Sequence, residues 1–181
     1  TLGVWMQQAG GGRRASWSTL LGALTGKLLL PWLSLSACGW IGLLWLTVGR
    51  GWAVAGSLAW VALGLAALVA VSLAAGALLA ALTLSLRTAL SGAGLLSAPA
   101  FAFSGVGFPL LAMPASARGW AVSMPYTHYA RLQIEQFQMG APVVQSLPIV
   151  CSLALATLVL LLLATAGLAR GLRRPDKWGA R

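Results

Sequence analysis

The side chains whose types and spacing could do chemistry lie together in one short stretch. Arg131 and Glu135 stand four residues apart, and His128 lies one turn earlier. On the helix predicted over 126–139, residues four apart are neighbours and opposite charges pair across the turn. Glu135 is the one acid before Asp176. In an apolar chain such a carboxylate is either half of a structural ion pair or a site for a coupling ion or substrate. His128 divides in the same way, between a hydrogen-bonding interfacial residue and a member of a proton relay.

Other chemistries lack their residues. Gly22, Gly26 and Lys27 superficially match a phosphate-binding loop, which needs four residues between its glycines and a hydroxyl residue after the lysine. Here three residues separate the glycines and Leu28 follows the lysine. No strand precedes the segment, so it is not expected to bind ATP. Paired carboxylates, a His–carboxylate dyad and a nucleophile beside a base are all missing, and no enzyme activity is expected. One His, two acids and the lone thiols of Cys38 and Cys151 offer no metal cluster, and no cofactor is expected. Both cysteines fall in apolar runs, where a buried thiol acts as a small hydrophobe.

The elements that position these residues follow from composition. Hydrophobic residues make up 59% of the chain and charged residues 8%. Soluble domains carry about 25% charged residues to cover themselves in water, so here lipid has to be the cover. The expected class is an all-α membrane protein with about four transmembrane helices. A span needs about 20 mostly apolar residues. Spans are predicted at about 28–48, 58–84, 88–108 and 147–168, within a transmembrane domain covering 25–168. Residues 51–57 read as an outer-surface lead-in to the second span. Pro99 should kink the third, and Pro148 is placed in the first turn of the fourth.

Residues 1–24 are read as a cytoplasmic or interfacial amphipathic segment, with Trp17, Leu20, Leu21 and Leu24 at helical spacing; a disordered chain end is the alternative. Residues 169–181 form a basic cytoplasmic tail. Because the chain starts at Thr1, it is read as the later part of a longer protein, and no cleavable signal peptide is visible.

The net charge of +10 would suit nucleic acid, but its placement suits a membrane. Arg13, Arg14, Lys27, Arg87 and five basic residues of the tail fall on one predicted side. Arg50, Arg118 and Arg131 fall on the other, and this nine-to-three bias predicts both ends in the cytoplasm. The expected location is a bacterial inner membrane, with no nucleic-acid partner. Trp32, Trp45, Trp52, Trp120 and Trp178 are predicted at interfaces, whereas Trp40 and Trp60 lie deeper and should pack against other helices. Ser72, Gly76 and Ala80 place small residues on one face of the second span, either for close helix approach or as a by-product of Ala-rich composition.

Between the third and fourth spans, residues 108–142 are divided by Pro109, Pro114 and Pro125 into pieces too short to span. The stretch is also too apolar for a loop in water. The expected solution is a re-entrant pair of short helices on the outer side, capping the bundle or dipping into the leaflet.

These residues resemble the permease subunits of type-2 ABC exporters. The resemblance is carried by Gly26-Lys27-Leu28-Leu29-Leu30-Pro31 opening a span, then Phe103-Ser104-Gly105, Phe108-Pro109, Met113-Pro114, Pro125-Tyr126-Thr127-His128-Tyr129, Arg131 and Gly140 before a last span. It implies spans three to six of a six-span permease, from the branch with an extracytoplasmic domain after the first span. It implies a dimer with a second permease subunit, separate ATP-binding subunits as partners, and contact with membrane lipid. The ATPase-coupling segment would hold Arg13, Arg14, Trp17 and Lys27. Members often carry Arg-Glu followed by Gly-Thr there, where this chain has Arg13-Arg14-Ala15-Ser16. Pro109, Pro114, Pro125, His128, Arg131 and Glu135 would belong to the re-entrant helices. A non-transporting membrane scaffold and a proton-coupled secondary transporter using Glu135 and His128 are the competing expectations.

Overall fold

The computed structural model describes residues 16–107 and 109–172, and every regular element among them is helical. Helix α1 (Trp17–Leu44) continues through a π-helical turn at Trp45–Gly49. Then come α2 (Leu58–Thr83), α3 (Leu86–Ala102), a 3-10 turn (Leu110–Ala112), α4 (Ala115–Ser123), α5 (Pro125–Phe137) and α6 (Val143–Gly171).

Three helices are long and apolar enough to cross a membrane: Trp17–Gly49, Leu58–Thr83 and Val143–Gly171. Of these, α2 matches its expected span most closely. Ser57 caps it by accepting a hydrogen bond from the Trp60 amide at 3.3 Å, which meets one of the orphan donors of the first turn. Its last turn closes on Leu84 in the left-handed region, φ 51°, so that α3 begins two residues later. A branched side chain there costs about 1 kcal/mol relative to glycine.

The other boundaries differ from expectation. No separate surface helix precedes the first span over residues 17–24, because nothing between Trp17 and Leu28 breaks the helix and α1 runs through; residues 1–15 lie outside the described part. The last span starts earlier, with Pro142 as its cap, so Pro148 falls in the second turn rather than the first. The expected third span ends at Ala102, leaving α3 with 17 residues. At 1.5 Å per residue that is about 25 Å, short of the roughly 30 Å hydrocarbon core. Pro99 accordingly lies three residues from the end of α3, not in mid-span.

Helix α2 is the central element, packed chiefly against α6 and also against α1, α3 and α5. Val61, Val71, Leu132 and Leu153 form the buried centre. Two close approaches show that α2 and α6 run parallel. The end of α6 comes near the end of α2, where a Cβ on Gly167 would meet Ala81 Cβ at 3.1 Å, and the starts of both helices meet at a polar junction described below. Helix α1 is antiparallel to α2, its Trp32 and Trp40 indoles donating to the Ala66 and Ala62 carbonyls, each at 2.9 Å. Trp32, expected at an interface, thus makes an inter-helix contact against the first half of α2. Trp40 packs between helices as its depth implies. Ser72 and Ala80 are exposed and Gly76 faces open space, so their stripe joins no helices among the described residues. The thiols of Cys38 and Cys151 are free and exposed on the helix surfaces, not buried among other residues.

Candidate functional site

The proline-broken stretch sits over the starting ends of α2 and α6. Pro109 opens the 3-10 turn, Pro114 precedes α4, and Pro125 occupies the first position of α5, where its missing N–H costs nothing. Arg118 turns back onto this segment: its guanidinium donates to the carbonyls of Leu110 at 3.1 Å, Leu111 at 3.0 Å and Met113 at 3.2 Å. One side chain thereby satisfies backbone that forms no ladder. His128 Nε2 lies 2.8 Å from the Val122 carbonyl. A carbonyl only accepts, so that nitrogen carries the proton and ties α5 to α4. Tyr129 is buried beneath α5, and burial first, then the neighbouring Tyr126, pushes its hydroxyl up to about 12. It stays neutral at physiological pH.

Arg131 and Glu135 form the ion pair that their spacing allows, Nε to Oε1 at 2.8 Å, with the arginine side chain 73% exposed and the glutamate 12%. The second carboxylate oxygen accepts from Ser146 Oγ at 2.8 Å. Glu135 therefore joins α5 to the first turn of α6 rather than only bracing its own helix.

The centre of the junction is Gln136, which is fully buried. Its Oε1 accepts from the Ser57 amide at 3.0 Å, and its Nε2 donates to the Ala141 carbonyl and to Ser146 Oγ, both at 3.1 Å. Its backbone carbonyl accepts from Gly56 N at 2.8 Å. One residue thus joins α5, α6 and the lead-in to α2. Glycine is required beside it: a Cβ on Gly56 would fall 2.9 Å from the Gln136 carbonyl oxygen. Gly140, at φ +58°, makes the turn between α5 and α6 against the Ala55 carbonyl.

Gly56 and Ser57 belong to the expected lead-in over residues 51–57, whereas Gln136 and Ser146 lie outside the charge pattern that marks Arg131 and Glu135. A signal was available. Tyr129, Leu132 and Gln136 recur at helical spacing on the buried face, so an amide stands where an apolar residue is due. Such a residue needs partners.

Beside α5 lies a cleft of about 660 Å³, walled on its far side by the Pro109–Leu111 turn; His128, Arg131 and Glu135 all line it. Pro109 and the pair are therefore brought together. Pro114 and Pro125 shape the helices without lining the cleft. Trp17 and Lys27 lie elsewhere, on the first half of α1, where Thr25 and Leu28 border a pocket of about 150 Å³ with Leu73 and Leu161. Arg13, Arg14 and the tail from residue 173 lie outside the described residues. The chain matches no family model, no curated protein and no solved structure.

Proposed function

We propose that this chain is the membrane-spanning permease part of an ATP-driven exporter of the type-2 ABC class, acting as a dimer with separate ATPase subunits in a bacterial inner membrane. The observation that carries the reading is the ordered cap. The stretch with the most specific motifs, Phe103 to Gly140, folds as short helices hung on the starting ends of α2 and α6 by Gln136 and Glu135. Family resemblance implies re-entrant outer helices at that position.

In this reading α3 also crosses, as the third of four spans with α1, α2 and α6. It leaves the far end of α2 and returns the chain to the cap, where the rings of Phe101 and Tyr126 lie 6.0 Å apart. The turn that follows α3 makes up the missing height. Lys27, Arg87 and Arg170 then lie toward one end of the bundle, and Arg50, Arg118 and Arg131 toward the other. With Arg13, Arg14 and the tail added, the bias favours a cytoplasmic far end. The ATPase would dock there, near Trp17 and Lys27. The permease does no bond chemistry; closure of the ATPases tilts its helices and opens a path outward. The secondary-transporter alternative is less favoured, because Glu135 and His128 already spend their hydrogen bonds on holding the cap.

The test is reconstitution. The permease alone should move nothing and hydrolyse no ATP, and its cognate ATPase should start both activities. Substrate movement by the permease alone under a pH gradient rejects the reading in favour of secondary transport.

A further inference from the structure

A chain of hydrogen bonds in the cap's junction runs toward one group. The Ser57 amide donates to Gln136 Oε1 at 3.0 Å, and Gln136 Nε2 donates to Ser146 Oγ at 3.1 Å. Ser146 Oγ in turn donates to Glu135 Oε2 at 2.8 Å, while Arg131 Nε donates to Glu135 Oε1 at 2.8 Å. Gln136 is held in this orientation, because its Nε2 also donates to the Ala141 carbonyl. Ser146 therefore accepts from the amide and sends its own proton to the carboxylate. The whole chain rests on Glu135 accepting at both oxygens.

An ionised carboxylate does this, whereas a neutral acid gains a donor and keeps one full acceptor. Ser146 and Gln136 are fully buried, and the Arg131 side chain is 73% exposed. A proton therefore settles on Oε1, where water replaces the carboxylate as partner of the arginine. What is left between α5 and α6 is a neutral hydrogen bond, about half as strong as the charge-assisted one. The proton has a route, since Glu135 is 12% exposed and lines the cleft beside α5. The other titratable groups leave the junction alone. His128 lines the same cleft, but its Nε2 already donates to the Val122 carbonyl, so a second proton at Nδ1 breaks no bond. Arg131 stays charged throughout, and Tyr126 and Tyr129 stay neutral in acid. Arg118 of α4 is turned onto the carbonyls of Leu110, Leu111 and Met113. Residues 51–57, 104–111 and 138–147, the neighbouring segments of the other elements, carry no titratable side chain.

We propose that Glu135 is a proton-released latch: ionised, it fastens α5 to the start of α6, and protonated from the cleft it lets the cap loosen on the bundle. The fastening is present above the range in which the carboxyl takes up its proton and is lost below it. The latch does not depend on what the chain transports, and its test contains no ATPase, so it and the exporter reading fail separately. The 181-residue chain in phosphatidylcholine nanodiscs is followed by hydrogen exchange between about pH 7 and about pH 3, an interval that spans glutamate titration. Rates are corrected for the intrinsic pH dependence of exchange. They are read at residues 55–57 and at 141, whose amides donate to Glu135, Gln136 and Phe137.

Protection there should fall about tenfold in acid, the difference between a charged and a neutral hydrogen bond, while residues 61–71 of α2 keep theirs. Glu135→Gln, uncharged and with one acceptor oxygen, should hold the low protection at every pH. Ser146→Ala tests the latch with the ion pair intact. It leaves the carboxyl free to titrate but removes its hold on α6, so the acid step should vanish. His128→Gln should keep the parent step. Parent protection that does not change with pH overturns the latch. An unchanged step in Glu135→Gln or Ser146→Ala also overturns it, as does loss of the step in His128→Gln. A fall that extends through residues 61–71 is global unfolding and rejects a local latch.

Discussion

The bundle of α1, α2 and α6 and the cap of α4 and α5 are held together by opposite means. In the bundle, most backbone groups of a span are satisfied within its own helix, as lipid demands, the helix ends and the turns before Pro31 and Pro148 apart. Contacts between helices are added to that satisfied state. The Trp40 indole donates to the Ala62 carbonyl at 2.9 Å, and a Cβ on Gly39 would run into the Leu65 side chain of α2. In the cap, helices of 9 and 13 residues are joined by irregular chain. There the side chains of Arg118 and Gln136 replace the ladder that the backbone lacks. The bundle should therefore tolerate the loss of a polar contact, and the cap should not.

The largest effect expected from this difference is at Gln136. Gln136→Ala removes three hydrogen bonds and orphans the Ser57 amide at the start of α2. A cost of about 3 kcal/mol is expected, measured as unfolding free energy in a mild detergent. A cost under about 1 kcal/mol, the value of a hydrogen bond with an alternative partner, would mean that water replaces the amide. The cap would then be looser than its geometry implies.

Packing governs the bundle. Gly39→Val should cost about 2 kcal/mol, because the added side chain runs into the Leu65 side chain of α2. Gly76→Val serves as its control. Gly76 has nothing within 4 Å of an added Cβ, so it should change stability by less than about 0.5 kcal/mol. A large loss at Gly76 would reveal a partner covering that face. Trp40→Phe should cost only about 0.6 kcal/mol, the average for hydrogen bonds between membrane helices, since Ala62 remains inside the helical ladder. A loss like that of Gln136→Ala would erase the contrast between the two regions.

The same contrast explains what could be read from the sequence. The apolar runs of α2 and α6 were legible because span length and hydrophobicity are one-dimensional properties, and Ser57 marks a start by type alone. The start of α1 is not, because the charge of Lys27 interrupts the apolar run at residue 28 while the helix passes through it. The end of α3 is hidden in the sequence because the apolar run continues past Ala102, whereas Gly105 at φ +86° turns the chain there. In the cap the prolines correctly marked helix starts. The central role of Gln136 is not legible, because its partners Ser57 and Ser146 lie 79 and 10 residues away, distances that no local pattern records. The Arg131–Glu135 pair was legible since its partners share one turn.

That pair gives the smallest expected effect, and it tests where the cap lies. Arg131 is 73% exposed, and the two residues are joined by one contact at Nε. If α5 rests in a hydrated layer, solvent screens the pair, and its coupling should be only about 0.3–0.5 kcal/mol. Glu135→Gln alone should cost more than Arg131→Gln alone, because Glu135 also receives the Ser146 hydroxyl. The double-mutant cycle removes that separate contribution and isolates the pair. Measured in lipid nanodiscs, the coupling should shrink further in about 1 M salt, where the screening length falls to about 3 Å. A salt-independent coupling of about 3 kcal/mol is the signature of a desolvated pair. It would place α5 within the hydrocarbon and turn the cap from a lid on the bundle into a part of it.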